Sequence, residues 1–309
     1  MHKIKVGVVG VGHLGSIHAR IYRQTESCSL IGVCDTDTAR LNEISSELGV
    51  KGFSDYREFF DKIEAVSIAV PTRLHHKIAY DFLKHRIHAL VEKPFTLNLK
   101  EADSLIEIAK KNKLILQVGH IERFNSAFSA TQKLLRDPKF IECHRLSPFP
   151  NRSLDVGVVL DLMIHDIDIV LGLVNSPIKR IEAVGVGVLT EFEDIANARI
   201  NFANGCVCNL TASRVSDELM RKIRIFLKNA YISLDYKNEE AFIYQKTTSG
   251  ITKNALPIEK EQPLKRELSA FIDCVINGKE PLVSGTVGRQ ALAVALNIQK
   301  LIWKKPSSF

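Results

Sequence analysis

The stretch that most constrains this chain is its beginning, where an apolar run from Ile4 to Val9 leads straight into Gly10-Val11-Gly12-His13-Leu14-Gly15. A run this short and apolar reads as a strand buried on both faces, and three glycines directly after it call for a turn too tight for side chains. One glycine reverses the chain, a second leaves the backbone bare for a pyrophosphate, and a third lets the next helix lie close against the strand. Residues from Ser16 to Gln24 have the composition of that helix's opening. Its unpaired N–H groups and the positive end of its dipole would face the same anion, with His13 and Leu14 beside it in the turn.

Glycine turns also close purely structural strand-helix joints, so the motif needs company. A second apolar strand, Leu30 to Cys34, supplies it by ending in Asp35, where a carboxylate accepts both hydroxyls of an adenosine ribose and repels a 2′-phosphate. NAD is therefore favoured as cofactor. Arg40, a few residues on, keeps NADP open, and the plainer reading of Asp35 is a cap ahead of the helix Ala39 to Leu48.

The same strand-helix alternation continues through Ala65 to Val70, broken by Pro71-Thr72, then His88 to Val91, ended by Glu92-Lys93-Pro94, and Leu114 to Val118. Helices at His75 to His85 and Leu99 to Asn112 lie between these strands. Such alternation builds a doubly wound parallel sheet of the α/β class, whose ligands bind beyond the carboxyl ends of its strands. Beyond about residue 120 the pattern changes. A helix from Leu160 to Val174 precedes strand-like segments at 180–190, 196–202, 206–213, 222–227 and 231–236, with Asn204-Gly205 as a hairpin turn. The expectation is a first domain over residues 1–120 and an α+β second domain over 121–309 with a large, open, mostly antiparallel sheet. The last two helices, carrying the stripes Leu264 to Val275 and Leu292 to Ile298, are expected to pack back on the first domain. Val184, Val186 and Val188 share one strand face, which serves either another subunit or the domain's own helices.

Composition excludes several classes. With 309 residues and a quarter of them charged, the chain is an ordinary two-domain globule. Its net charge of +7 comes from 42 basic against 35 acidic residues, spread without blocks, which argues against nucleic acid as a partner. No apolar run is long enough to span a membrane. The apolar start is broken by glycines and continues into the motif rather than a cleavage site. Six scattered cysteines form neither a zinc spacing nor a disulfide framework, which points to a reducing cytoplasm.

Chemistry can be placed on few residues. Lys93, just past a strand end in the expected crevice, can donate to a substrate alcohol or carbonyl oxygen. Alone, a lysine there reads as a surface charge; its company is His165 with Asp161 one helical turn before it, so that the carboxylate can orient the imidazole. Asp168, one turn further on, is a candidate substrate contact. His75 is expected against the cofactor near Pro71 and Thr72, with Glu92 beside Lys93, and His76 at the surface. A metal reading of Asp161, His165 and His120 lacks tight ligand spacing, so no metal is expected.

Together the run Val6 to Ala19, Pro71-Thr72-Arg73-Leu74-His75, Glu92-Lys93-Pro94 and Asp161-Leu162-Met163-Ile164-His165-Asp166 resemble the Gfo/Idh/MocA family across nearly the whole chain. That resemblance implies a Rossmann domain carrying NAD or NADP and an open-sheet domain supplying substrate contacts and a homo-oligomer interface, dimeric or tetrameric. It also implies Lys93, Asp161 and His165 as the catalytic set. Within the family, Gly119-His120-Ile121-Glu122-Arg123-Phe124-Asn125 and the run through Asp168 resemble the branch that oxidises the 3-hydroxyl of UDP-N-acetylglucosamine or its uronic acid. An inositol, polyol or free-sugar dehydrogenase is the alternative, weakened by the single glycine in Asp155 to Leu160. A non-catalytic NAD-binding regulator is the alternative of another class, against which the intact Lys93, Asp161 and His165 argue. For a diphosphate, Arg123, Arg145, Arg152 and Arg214 are the candidate cations.

Overall fold

The computed structural model describes residues 2–149, 156–248 and 250–304, and these form two compact units. The first comprises Met1–Ile121 with Gln262–Arg289, the second Glu122–Glu261 with Gln290–Phe309.

In the first unit, β1 (Ile4–Val9), α1 (His13–Gln24), β2 (Cys28–Cys34), α2 (Thr38–Leu48), β3 (Lys51–Phe53), β4 (Ala65–Ile68), α3 (His75–Lys84), β5 (His88–Glu92), α4 (Leu99–Asn112) and β6 (Leu116–Gly119) follow one another. The strands form one parallel sheet in the order β3-β2-β1-β4-β5-β6. Strand order reverses between β1 and β4. With right-handed crossovers the helices then divide between the two faces, and a crevice opens where the connections leaving the paired strands β1 and β4 part. Val6, Val8, Val33, Val66 and Leu90 are wholly buried, as strands covered on both faces must be. The helix α7 (Pro263–Asn277), far along the chain, adds Leu264, Leu268, Phe271 and Ile272 to the core under α1. It ends at Gly278 in the left-handed conformation.

The second unit opens with α5 (Ser126–Thr131) and β7 (Phe140–Leu146). A π-helical turn (Val159–Met163) runs into α6 (Ile164–Leu173), and then β8 (Ile178–Val186), β9 (Ile195–Phe202), β10 (Val207–Ser213), β11 (Met220–Phe226), β12 (Ala230–Asp235), β13 (Glu240–Thr247) and β14 (Gly250–Ala255) follow. The eight strands pair as β14-β13-β12-β11-β7-β10-β9-β8, antiparallel except where β10 meets β7. β9 and β10 join through Asn204-Gly205 with Gly205 at φ +87°, as the dipeptide predicts. One face of the sheet is apolar and buried: Ile141 and Cys143 of β7, Ala198 and Ile200 of β9, Leu210 of β10, Ile223 and Ile225 of β11. α5 lies against β12 and β13, and α6 with its π-turn against β10.

Among the described residues the opposite face is the more exposed one. Val184, Val186 and Val188 are 62, 53 and 57% exposed, so of the two readings of that valine row, packing beneath the domain's own helices is excluded. α8 (Gly285–Ile302) begins in the first unit and continues into the second. Among the described residues no helix is long and apolar enough to cross a membrane, and all six cysteines are free.

Candidate active site

Each glycine of the first turn has its own reason to lack a side chain. Gly10 sits at φ +85°, and a Cβ there would come within 2.5 Å of the Ala69 carbonyl. At Gly15 a Cβ would overlap the Gly10 carbonyl oxygen, so α1 could not lie against the turn. Around Gly12, by contrast, no atom lies within 4 Å of a built Cβ; its backbone is open to a ligand. Gly12 is also the N-cap residue of α1 and offers no capping side chain, and no acidic residue stands in the first turn. The N–H groups at this helix end are thus left to an anion, and the turn fits the pyrophosphate of a dinucleotide.

Asp35, half-buried at the end of β2, accepts from Val11 N at 2.7 Å and from Asp37 N at 3.0 Å. Its carboxylate ties the glycine turn to the neighbouring strand while retaining acceptor capacity for ribose hydroxyls. The capping role ahead of α2 belongs to Asp37, which accepts from Ala39 N and Arg40 N. Arg40 is exposed.

Beyond β5, Glu92 turns its carboxylate back onto the next residue and accepts from Lys93 N at 3.2 Å. His18 of α1, wholly buried, bonds Ser67 Oγ through Nδ1 at 2.7 Å and brings Nε2 to 3.2 Å from Glu92 Oε1. Gly119 leaves the room, since a Cβ there would stand 2.7 Å from Glu92 Oε1. Lys93 itself is partly exposed, and the Lys93–Pro94 peptide is cis. His75 stands beside Val70 and Pro94. Its two ring nitrogens lie 2.9 Å from the Pro94 carbonyl and 2.8 Å from the Val70 carbonyl, and a neutral ring donates to one of the two. Burial lowers its pKa against the pull of those carbonyls.

In the second unit, Asp161 lies in the π-turn and His165 one residue into α6, both partly exposed. π-Turns widen a helix locally and recur where side chains must be re-aimed. Nothing in the sequence signalled this one. Among the described residues no group of three or more His, Cys, Asp or Glu could hold a metal ion.

Three of the four arginines expected to meet a diphosphate are otherwise engaged, which corrects that expectation for them. Arg123 binds Asp168 through Nε at 2.6 Å and through Nη2 at 3.1 Å. Asp168, offered as a substrate contact, is thereby its buried partner. Arg145 is clamped between Asp166, at 2.9 and 2.8 Å, and Glu122, at 2.8 Å, with its guanidinium 5.6 Å from the Tyr236 ring centre. Arg214 donates to Asp194 and to the Val156 carbonyl. Guanidinium forks filled by carboxylates inside a core hold the fold together and have little left for a ligand. Arg152 lies outside the described residues.

Comparison with known proteins agrees with this architecture. Residues 4–120 match the model of the Gfo/Idh/MocA oxidoreductase family, NAD-binding Rossmann fold, and residues 118–233 match the Gfo/Idh/MocA C-terminal domain. The UDP-N-acetylglucosamine 3-dehydrogenase of Acidithiobacillus ferrooxidans is 36% identical over 97% of this chain and 97% of its own. The myo-inositol 2-dehydrogenase of Thermotoga maritima is 27% identical over 98% of each. A solved structure of UDP-N-acetylglucosamine 3-dehydrogenase from Acidithiobacillus ferrooxidans superposes with a TM-score of 0.93 over 98% of both chains, and that of a probable dehydrogenase from Thermotoga maritima, 25% identical, with 0.84. With its glycine cradle, its uncapped helix and both family domains in order, the chain belongs to the Gfo/Idh/MocA family of NAD-binding oxidoreductases.

Proposed function

We propose that the chain oxidises the 3-hydroxyl of UDP-N-acetylglucosamine or a close relative, with NAD held by residues 1–120 and the sugar by residues 121–309. The observation that carries this reading is the 36% identity, over nearly the full length of both chains, to an enzyme of that name. When bound, NAD supplies the hydride acceptor. His165, with Asp161 one turn before it to orient the ring, takes the hydroxyl proton, and Lys93 donates a hydrogen bond to the oxygen as negative charge builds on it. Gly10, Gly12 and Gly15, with His13 and Leu14 alongside, would hold the pyrophosphate of NAD and Asp35 its ribose, and Pro71, Thr72 and Glu92 would border the nicotinamide. Several copies associate through the exposed valine face of the second unit's sheet, since exposed apolar side chains in a row are characteristic of an interface.

Inositol dehydrogenation is the second reading, favoured by the 27% identity to a myo-inositol 2-dehydrogenase over the whole chain. One assay separates the two. NADH formation is followed with UDP-N-acetylglucosamine, free N-acetylglucosamine and myo-inositol at matched concentrations. The nucleotide sugar should react far faster than the free sugar, because binding energy from the remote nucleotide positions the ring. Equal or greater rates with myo-inositol or the free sugar would move the chain to the second reading.

A further inference from the structure

The helix bearing Asp161 and His165 is not capped by its own sequence, for Val158 at its entrance makes no side-chain hydrogen bond. Its start is held by two adjacent carboxylates that precede β9, Glu193 and Asp194, both wholly buried. The Glu193 carbonyl accepts from Val158 N at 2.9 Å, and its Oε1 accepts from Val159 N at 3.4 Å. The carboxylate lies so closely over Gly157 that a Cβ there would stand 2.1 Å from Oε1. Gly157 passes the contact on, because its carbonyl accepts from Asp161 N at 3.0 Å. From the other side, Asp194 Oδ1 fixes Arg214 Nε at 2.7 Å, and Arg214 Nη1 holds the Val156 carbonyl at 2.8 Å.

Two donors near the C-terminal end complete the arrangement: Gln299 Nε2 at 2.8 Å from Glu193 Oε1 and Trp303 Nε1 at 3.0 Å from Oε2. A carboxylate at a helix N-terminus is favoured by the helix dipole, but placing one in a core is costly unless its acceptors are filled. Here each side-chain contact named for Glu193 either meets the start of this helix or orients the carboxylate that does.

We infer that Glu193 is a positioning residue for the reaction: through Gly157 and the amides of Val158 and Val159 it fixes where Asp161 and His165 stand. Trp303, the chain's single tryptophan, reports on its state. The inference rests on the roles proposed above for Asp161 and His165, so its test has an arm that needs no substrate.

Glu193→Ala removes the side-chain contacts, whereas Glu193→Gln keeps an acceptor for Val159 and loses the indole's bond. With NAD and UDP-N-acetylglucosamine, kcat should fall about a hundredfold in Glu193→Ala, the cost of misplacing a catalytic group by roughly 1 Å. In Glu193→Gln it should return to within about fivefold of native, the worth of one neutral hydrogen bond. The dissociation constant for NAD should be unchanged in both. In the substrate-free arm, hydrogen exchange at the amides of residues 158–165 should quicken in Glu193→Ala while those of β1 stay as they were, and acrylamide should quench Trp303 more readily in both variants. Should Glu193→Ala fail to fold, Trp303→Phe carries the test, with a smaller loss of kcat and faster exchange at the same amides. Native kcat in a folded Glu193→Ala protein, equal losses in the alanine and glutamine variants, or unchanged exchange at residues 158–165 would each overturn the inference. Quickened exchange at those amides alongside a native protein inert on nucleotide sugars would support the positioning role and count against the substrate reading alone.

Discussion

At the scale of single residues the sharpest claim concerns Lys93. It stands where β5 ends, with its own backbone N–H bound by the Glu92 carboxylate and that carboxylate backed by buried His18. A lysine whose backbone is fixed there launches its side chain from a set position, from which the ammonium can reach a developing alkoxide. Lys93→Met keeps the length and removes the donor. Turnover should fall by roughly 10²–10³-fold, the range observed when one such donor is lost, with NAD affinity within about twofold of native. Near-native turnover, with affinity measured by cofactor titration, would make Lys93 a surface charge. The glycine turn was legible in the sequence because its form follows from local backbone geometry. The arginines were not. Arg145 meets Asp166 and Glu122, 21 and 23 positions away, and Arg123 meets Asp168 at 45; a sequence displays the cation but not the carboxylate that tertiary folding brings to it.

Among the elements, those with a clean period were readable and those with a charge on the buried face were not. β7 escaped the sequence reading because its inner row is Ile141, Cys143 and Arg145, and the arginine disguises the alternation that burial makes plain. β13 and β14 were missed for a related reason, since the outer strand Gly250–Ala255 is almost wholly exposed and carries no apolar rhythm. The π-turn has no sequence signature at all. β7 is central to its sheet, between β10 and β11, and its buried arginine ties that sheet to Asp166 of α6 and to Glu122 ahead of α5. Burial alone would lower the Arg145 pKa, but Asp166 and Glu122 outweigh it and hold the guanidinium charged. Arg145→Met would leave those two carboxylates in the core without their cation, a change that costs about 3–5 kcal/mol for a broken buried pair. The urea midpoint should drop accordingly. A midpoint close to native would mean that the carboxylates take up protons or water at little cost.

For the molecule as a whole, stability should depend on pH through groups that the fold keeps neutral. His88 opens β5, and its Nδ1 accepts from Ile115 N at 2.8 Å, a bond that only the ring unprotonated at that atom can make. Burial lowers its pKa, opposed by Glu64, and burial likewise lowers that of His75. Both have folded-state pKa values below the unfolded histidine value of about 6.5, so as pH falls through that value the unfolded chain takes up protons that the folded chain refuses. The contribution of these two histidines is therefore complete above about pH 6.5 and is lost as pH falls toward their folded-state values. Carboxylates held low act later. Asp194, whose own burial is outweighed by hydrogen bonds from Leu189, Thr190 and Arg214, has its pKa far below the ordinary range and loses its contribution only below about pH 4. The urea midpoint should thus decline between about pH 7 and pH 5, before Asp194 titrates. His88→Asn offers the Ile115 amide an oxygen in place of Nδ1 and cannot titrate in this range, so the decline should become shallower while the midpoint near pH 7 changes little. A native midpoint that holds steady or rises on acidification to about pH 5 would mean that the folded rings accept protons as readily as the unfolded ones.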